Sequence, residues 1–228
     1  LGEAQVGNLA TVVRASHHGQ PLLYKVTSPG RHFALNGLSA LAVAEALGLD
    51  GAIAAGDLGR WAPPPGRGTR ERIVLDLVEE TAFELIDDAF NANPASMEAS
   101  LAVLIAATPE DGAGRVARGR RLAILGDMLE LGPTELDLHA AIADQPGLEA
   151  IATIHCVGPR MRVLHARLPR AQRGEWVETA DELLPRLRSL IDAGDIVLVK
   201  GSKGIKVSRL VDGLRKLGQQ AAPGKGEA

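Results

Sequence analysis

The sequence predicts an α/β protein with a mainly parallel sheet, preceded by a shorter, incomplete piece. Two observations carry this. From about residue 88 onward, short apolar runs alternate with amphipathic helix patterns, an order that makes the strands parallel and the connections right-handed helical crossovers. Before residue 88 there are too few strand-like runs for a self-standing α/β sheet. The composition is that of a globular chain: 228 residues, 46% hydrophobic and 23% charged, long enough for two cores. The expected domains are therefore 1–88 and 89–218, with a disordered polar tail over 219–228.

In the first piece, residues 9–15 and 21–26 read as strands separated by the turn-like His18-Gly19-Gln20. A helix is expected over 34–47; Leu35, Leu38, Leu41 and its alanines leave almost no polar face, so burial on most sides is expected, with Gly48 as the stop. A short helix over 49–58 ends before 61–68, whose three prolines exclude helix and central strand. Residues 72–78 and 82–87 read as strands joined at Glu79-Glu80.

In the second piece the strands are 122–125, 151–157 and 196–199, and the helices 94–107, 135–143, 160–167, 181–191 and 206–217. Within 181–191, Leu183, Leu184, Leu187, Leu190 and Ile191 share one helical face.

Charge and cysteine usage exclude several classes. The net charge is −3 with both signs spread along the chain, and no basic block exists to displace counterions, which argues against nucleic acid as a partner. The single cysteine, Cys156, lies in an apolar run and reads as buried and inert; no disulfide can form within one chain, which fits a reducing cytoplasm. No run approaches the ~20 apolar residues of a membrane-spanning helix, so no membrane insertion is expected. The start has no signal-peptide pattern and no methionine, and reads as that of a fragment.

The most informative stretch runs from Ile86 to Met97: a strand ending in Asp87-Asp88, a polar loop, then a helix start with Asn93 as N-cap and Pro94 at the first helical position. Carboxylates at the end of a parallel strand face the edge where such sheets bind ligands, though the pair could equally cap a loop.

This stretch, Asp87-Asp88-Ala-Phe-Asn91-Ala-Asn93-Pro94-x-Ser96-Met97, resembles the junction signature Asp-Asp-Ser-Tyr-Asn-Ala-Asn-Pro-x-Ser-Met of the Mur ligase family, in its D-alanyl-D-alanine-adding branch. Four more blocks match in order: Pro29-Gly30-Arg31-His32 with Asn36, Pro65-Gly66-Arg67, Leu125–Gly132 with His139 downstream, and Val197–Gly204. The resemblance covers nearly everything from residue 29 onward. It implies that residues 1–88 are the remnant of a central ATPase domain and 89–218 a Rossmann-like C-terminal domain. The reaction it implies activates a carboxylate with ATP and Mg2+ as an acyl phosphate, which an incoming amine converts to an amide. The substrates would be UDP-N-acetylmuramoyl-tripeptide and D-alanyl-D-alanine.

By the same resemblance, Asn36 would contact adenine or ribose, Arg67 the phosphates and Asp88 the ribose hydroxyls, while Lys200 and Ser202 would face the reacting groups. Asn91, Asn93, Asp127 and Glu130 are candidate substrate contacts. Each has a structural alternative. Asn36 could hold a neighbouring loop and Arg67 could be a solvated charge. Asp127 and Glu130 read slightly better as turn and helix-capping residues, and His139 as a satisfied structural histidine. Gly201 and Gly204 could cradle an anion or simply turn the chain.

Departures from the family pattern are Ala89-Phe90 for Ser-Tyr, and Lys203 for Arg, which keeps the charge but loses the forked geometry. No Gly-x-x-x-x-Gly-Lys-Ser/Thr loop occurs, so the principal ATP and Mg2+ ligands are absent, no metal ligand is assigned, and this chain alone is expected to be inactive. A sister ligase of the same family, or a non-catalytic α/β interaction module, are the alternatives.

Overall fold

The computed structural model describes residues 2–7, 10–17, 19–115 and 117–219. The chain divides into two compact units, Leu1–Pro64 and Pro65–Ala228.

The first unit is a three-stranded antiparallel meander, β1 (Glu3–Val6), β2 (Thr11–His17) and β3 (Gln20–Val26), with helices α1 (Arg31–Ala46) and α2 (Gly51–Leu58) packed on it. Val13, Tyr24 and Val26 of the sheet meet Phe33, Ala34 and Leu41 of α1 in a small core. The buried Thr11 hydroxyl donates to Ser28 O and accepts from Gly30 N, pinning the loop that launches α1. Asp50 caps α2 through Oδ1, which accepts from Ala52 N and Ile53 N. Burial of α1 on most sides is not seen in this chain: Phe33, Ala34, Gly37 and Leu41 are buried, while Leu35 and Val43 are exposed. The strand β1 was not expected; its Glu-Ala-Gln-Val has almost no buried residue to mark it. Leu9 and His18, parts of an expected strand and turn, lie outside the described residues, as do 220–228 of the expected tail.

The second unit is built on a six-stranded sheet in the order β4-β5-β9-β6-β7-β8. Its strands are β4 (Thr69–Val74), β5 (Ala82–Asp88), β6 (Arg121–Gly126), β7 (Thr153–Val157), β8 (Arg173–Val177) and β9 (Ile196–Lys200). Only β4 is antiparallel to its neighbour; all other pairings are parallel. One face carries α3 (Pro94–Ala106), α4 (Glu135–Ala140) and α5 (Arg162–Arg167). The other carries α6 (Ala180–Leu183), α7 (Leu187–Leu190) and α8 (Ser208–Arg215). Every residue of β9 is buried, as a central parallel strand requires. Val197 and Val199 enter the core with Leu183, Leu187 and Leu210, and Ile196 and Leu198 the core with Met97, Leu101 and Ile154.

The mainly parallel α/β sheet agrees with the expectation, whereas the domain boundary at residue 88 does not. The second unit starts at Pro65, because β5 is wedged between β4 and β9, with Glu84 paired to Ile196 and Asp88 to Lys200. The helix expected over 181–191 is broken into α6, a 3-10 turn (Leu184–Arg186) and α7, because Pro185 has no N–H to continue it. The edge strand β8 was missed, its charged Arg173 and Glu175 masking the pattern. No helix among the described residues is long and apolar enough to cross a membrane.

Candidate functional site at the carboxyl edge of the sheet

The parallel register brings the ends of β5, β9, β6 and β7 to one edge: Asp88 sits opposite Lys200, Lys200 opposite Leu125, and Gly126 opposite Val157. The loops leaving these ends carry most of the sequence-predicted site residues of this unit, so Asp88, Asp127, Lys200 and Ser202 are neighbours.

Asp87 and Asp88, adjacent on a strand, point to opposite faces. Asp87 meets Arg215 of α8, whose guanidinium reaches Asp87 Oδ2 at 2.9 Å and also grips Glu71 of β4. Hydrogen bonding to Glu71 is the main reason that the Arg215 pKa is raised, with Asp87 adding to it. Asp88 faces α3, where Lys200 Nζ donates to its Oδ2 at 2.7 Å and Ser100 Oγ donates to the same oxygen at 2.5 Å. Lys200 is 1% exposed and gives a second proton to Asn91 O at 3.0 Å. The lysine therefore ties the end of β9 to the end of β5 and to the loop that follows it.

Ser202 stitches three loops together. Its N–H donates to Asp127 O, its Oγ accepts from Leu129 N at 2.9 Å, and its hydroxyl donates to Ala92 O at 3.3 Å. Asp127 is wholly buried; its carboxylate accepts from Met161 N at 2.8 Å and Arg160 N at 3.3 Å, with the Arg160 guanidinium at 3.5 Å. Arg160 also donates to Glu135 at 2.6 Å, which is the main cause of its raised pKa. Gly158, at φ +112°, makes this possible: a Cβ there would lie 2.4 Å from the Asp127 carboxylate. His139 is buried, accepting at Nε2 from Met128 N and leaving Nδ1 to donate to Glu135 O, so the neutral Nδ1–H tautomer is the one that satisfies both partners. Burial, with Asp127 nearby, pushes the Cys156 thiol up to about 12, so it stays protonated.

The remaining expected residues divide. Asn93 is the N-cap of α3 in a reciprocal capping box with Ser96. Asn91 is exposed, its side chain accepting from Ala92 N. Glu130 is exposed at φ +64°. Arg67 is exposed, its guanidinium stacked on the Phe90 ring at 4.2 Å. Asn36 lies exposed on α1 of the first unit. No group of three or more His, Cys, Asp or Glu among the described residues is placed to hold a metal ion.

Three residues of this edge escaped the sequence reading: Ser100, Arg160 and Arg215. Only Ser100 left a signal, since it stands on the apolar stripe of Met97, Leu101 and Leu104, where an unpartnered hydroxyl would be costly.

Comparison with known proteins shows the family and the fold. The family profile described as Mur ligase, glutamate ligase domain, matches residues 75–203. The UDP-N-acetylmuramoyl-tripeptide–D-alanyl-D-alanine ligase of Rickettsia prowazekii is 28% identical over 182 residues, which cover 80% of this chain and 37% of that protein. Among solved structures, MurF of Acinetobacter baumannii superposes with a TM-score of 0.75 at 22% identity, covering 94% of this chain and 44% of that one. MurF of Thermotoga maritima, solved in complex with ADP, superposes at 0.71 and 18%, covering 94% and 45%. At these identities the structural likeness speaks for the fold, and the chain spans less than half the length of each of these relatives. Because the family profile covers more than half of its sequence, the chain belongs to the Mur ligase family and carries that family's glutamate ligase domain.

Proposed function

We propose that the chain forms the C-terminal half of an ATP-dependent ligase that joins D-alanyl-D-alanine to UDP-N-acetylmuramoyl-tripeptide in cytoplasmic peptidoglycan precursor synthesis. The observation that supports this best is the convergence of three family-like blocks on one sheet edge. Asp88 of the junction block touches Lys200 of the last block, and Ser202 of that block binds Leu129 of the middle one.

The residues present fit one part of a nucleotide. Arg67 offers an exposed guanidinium for phosphate oxygens. Lys200 and Ser100 both bind Asp88 Oδ2, which leaves Oδ1 to accept from a ribose hydroxyl. ATP, when bound, supplies the phosphoryl group that activates the acceptor carboxylate. No residue of this chain is assigned to Mg2+. Within this reading Lys200 and Ser202 act mainly by fixing the loops that carry Asn91 and Glu130 toward the dipeptide.

The test is phosphate release by the full-length enzyme, measured with each substrate omitted in turn. Turnover that needs both the UDP-tripeptide and D-alanyl-D-alanine is expected; turnover with a single amino acid instead would move the protein to a sister ligase. The 228-residue chain alone is expected to release no phosphate.

A further inference from the structure

Arg67 and Lys203 come from stretches far apart in sequence, yet both rest on one aromatic ring. The Arg67 guanidinium lies 4.2 Å and the Lys203 Nζ 5.7 Å from the centroid of Phe90. Neither cation is ion-paired among the described residues, whereas at the same edge Arg160 is held by two carboxylates and Arg215 by three. The two unneutralised charges are therefore no more than about 10 Å apart, close enough to face one ligand.

The ring is placed by its backbone. Phe90 N–H donates to Gly66 O at 3.0 Å, and Gly66, at φ +78°, lies so close that a Cβ there would be 3.2 Å from Phe90 Cβ. The turn carrying Arg67 is thus seated directly on Phe90. Lys203 follows Ser202, which is locked to Leu129 and Ala92. Both cations start from fixed backbone and end on the same ring, which remains 41% exposed.

We infer that Phe90 is a positioning residue that holds Arg67 and Lys203 as one reading site for an anionic group, phosphoryl or carboxylate. A stacked guanidinium and a ring-held ammonium lose less freedom when an anion arrives than free surface chains do. The inference deepens the proposed function: Arg67 was assigned there to phosphate, and Lys203 and Phe90 now join it.

The test is titration of the isotope-labelled chain with inorganic pyrophosphate, D-alanyl-D-alanine and D-alanyl-D-alanine amide. Binding is followed at the Arg67 Nε–H and at the Gly66, Phe90 and Gly204 amides. Arg67→Gln and Lys203→Gln are each expected to weaken the responding anion about fivefold. Phe90→Leu, which changes no charge, should weaken it about threefold, and Phe90→Tyr should leave it unchanged. Melting temperatures should stay constant across the set, since the ring is exposed. A response to pyrophosphate alone identifies a phosphoryl site, and one to the dipeptide but not its amide a carboxylate site. No response to any probe, or equal affinity in Phe90→Leu and the parent, overturns the inference. Because these readouts need no turnover, failure of the ligase reading would leave them interpretable.

Discussion

Lys200 Nζ lies 2.7 Å from Asp88 Oδ2, joining the ends of two neighbouring parallel strands 112 residues apart in sequence. Lys200 is almost wholly buried and the Asp88 side chain 18% exposed, so neither charge can be hydrated freely once the other is gone.

Lys200→Met should therefore lower folding stability by about 3 kcal/mol, because it strands the Asp88 carboxylate and the Asn91 carbonyl. From sequence, a lysine at a strand end reads as a substrate contact whose loss spares folding. Its burial makes the expected outcome a loss of stability as well. Urea unfolding of Lys200→Met, Asp88→Asn and the double variant checks this, and the double variant should recover part of the loss. A change below ~0.5 kcal/mol in Lys200→Met would mark the lysine as solvated.

His155 gives the fold an acid-sensitive point. It is 3% exposed on β7, its Nδ1 accepting from Glu175 N at 3.0 Å, and burial holds its pKa down to about 4 from 6.5, with Glu175 opposing the shift. Below pH 6.5 the unfolded chain takes up a proton that the folded one refuses. The contribution is thus complete above pH 6.5 and is lost as the pH falls toward 4, up to about 3 kcal/mol. Unfolding free energies measured between pH 7 and about 4 should show this slope, and His155→Gln should flatten it.

Gly158 has no tolerance for a side chain. Its φ of +112° disfavours any L residue, and a Cβ would meet the Asp127 carboxylate and break the contacts that anchor Arg160 and Met161. Gly158→Ala should cost more than about 3 kcal/mol, combining strain with a disturbed buried charge. A thermal melt within a degree or two of the parent would show that the loop can move aside.

What was legible in the sequence follows from how each feature is encoded. The strands β5, β6, β7 and β9 are apolar runs, and buried parallel strands need such runs, so the α/β class and the shared edge could be read. The Asn93-Pro94 start of α3 is local chemistry and was equally readable. The edge strands β1 and β8 carry charges and one-sided burial, which removes the signal. At the site, residue types pointed to Asp88, Lys200, Ser202 and Asp127, but burial decides between holding a loop and meeting a ligand. Only the fold shows that Asp127 accepts from backbone N–H groups while Arg67 stands exposed on Phe90. Arg215 was beyond reach, since nothing near residue 215 indicates that Glu71 and Asp87 lie beside it.

The shifted boundary yields a prediction that separates two ways of cutting the chain. A fragment spanning 65–219 retains β4 to β9 and both cores, and should fold cooperatively. A fragment spanning 89–219 looks self-contained from its strand–helix alternation, but it lacks β4 and β5. It therefore exposes the edge of β9, every residue of which is buried, and removes Phe83, Leu85 and Ile86 from the two cores. Burying those three side chains contributes on the order of 6 kcal/mol, comparable to the whole stability of a typical domain. It also deprives Lys200 of Asp88 and Arg215 of both Glu71 and Asp87. The shorter fragment should thus be aggregation-prone and lack a sharp melting transition, whereas the longer one should give dispersed amide resonances. Circular dichroism melts and proton–nitrogen correlation spectra of the two fragments decide the matter: a cooperative, monomeric 89–219 would restore the boundary at residue 88.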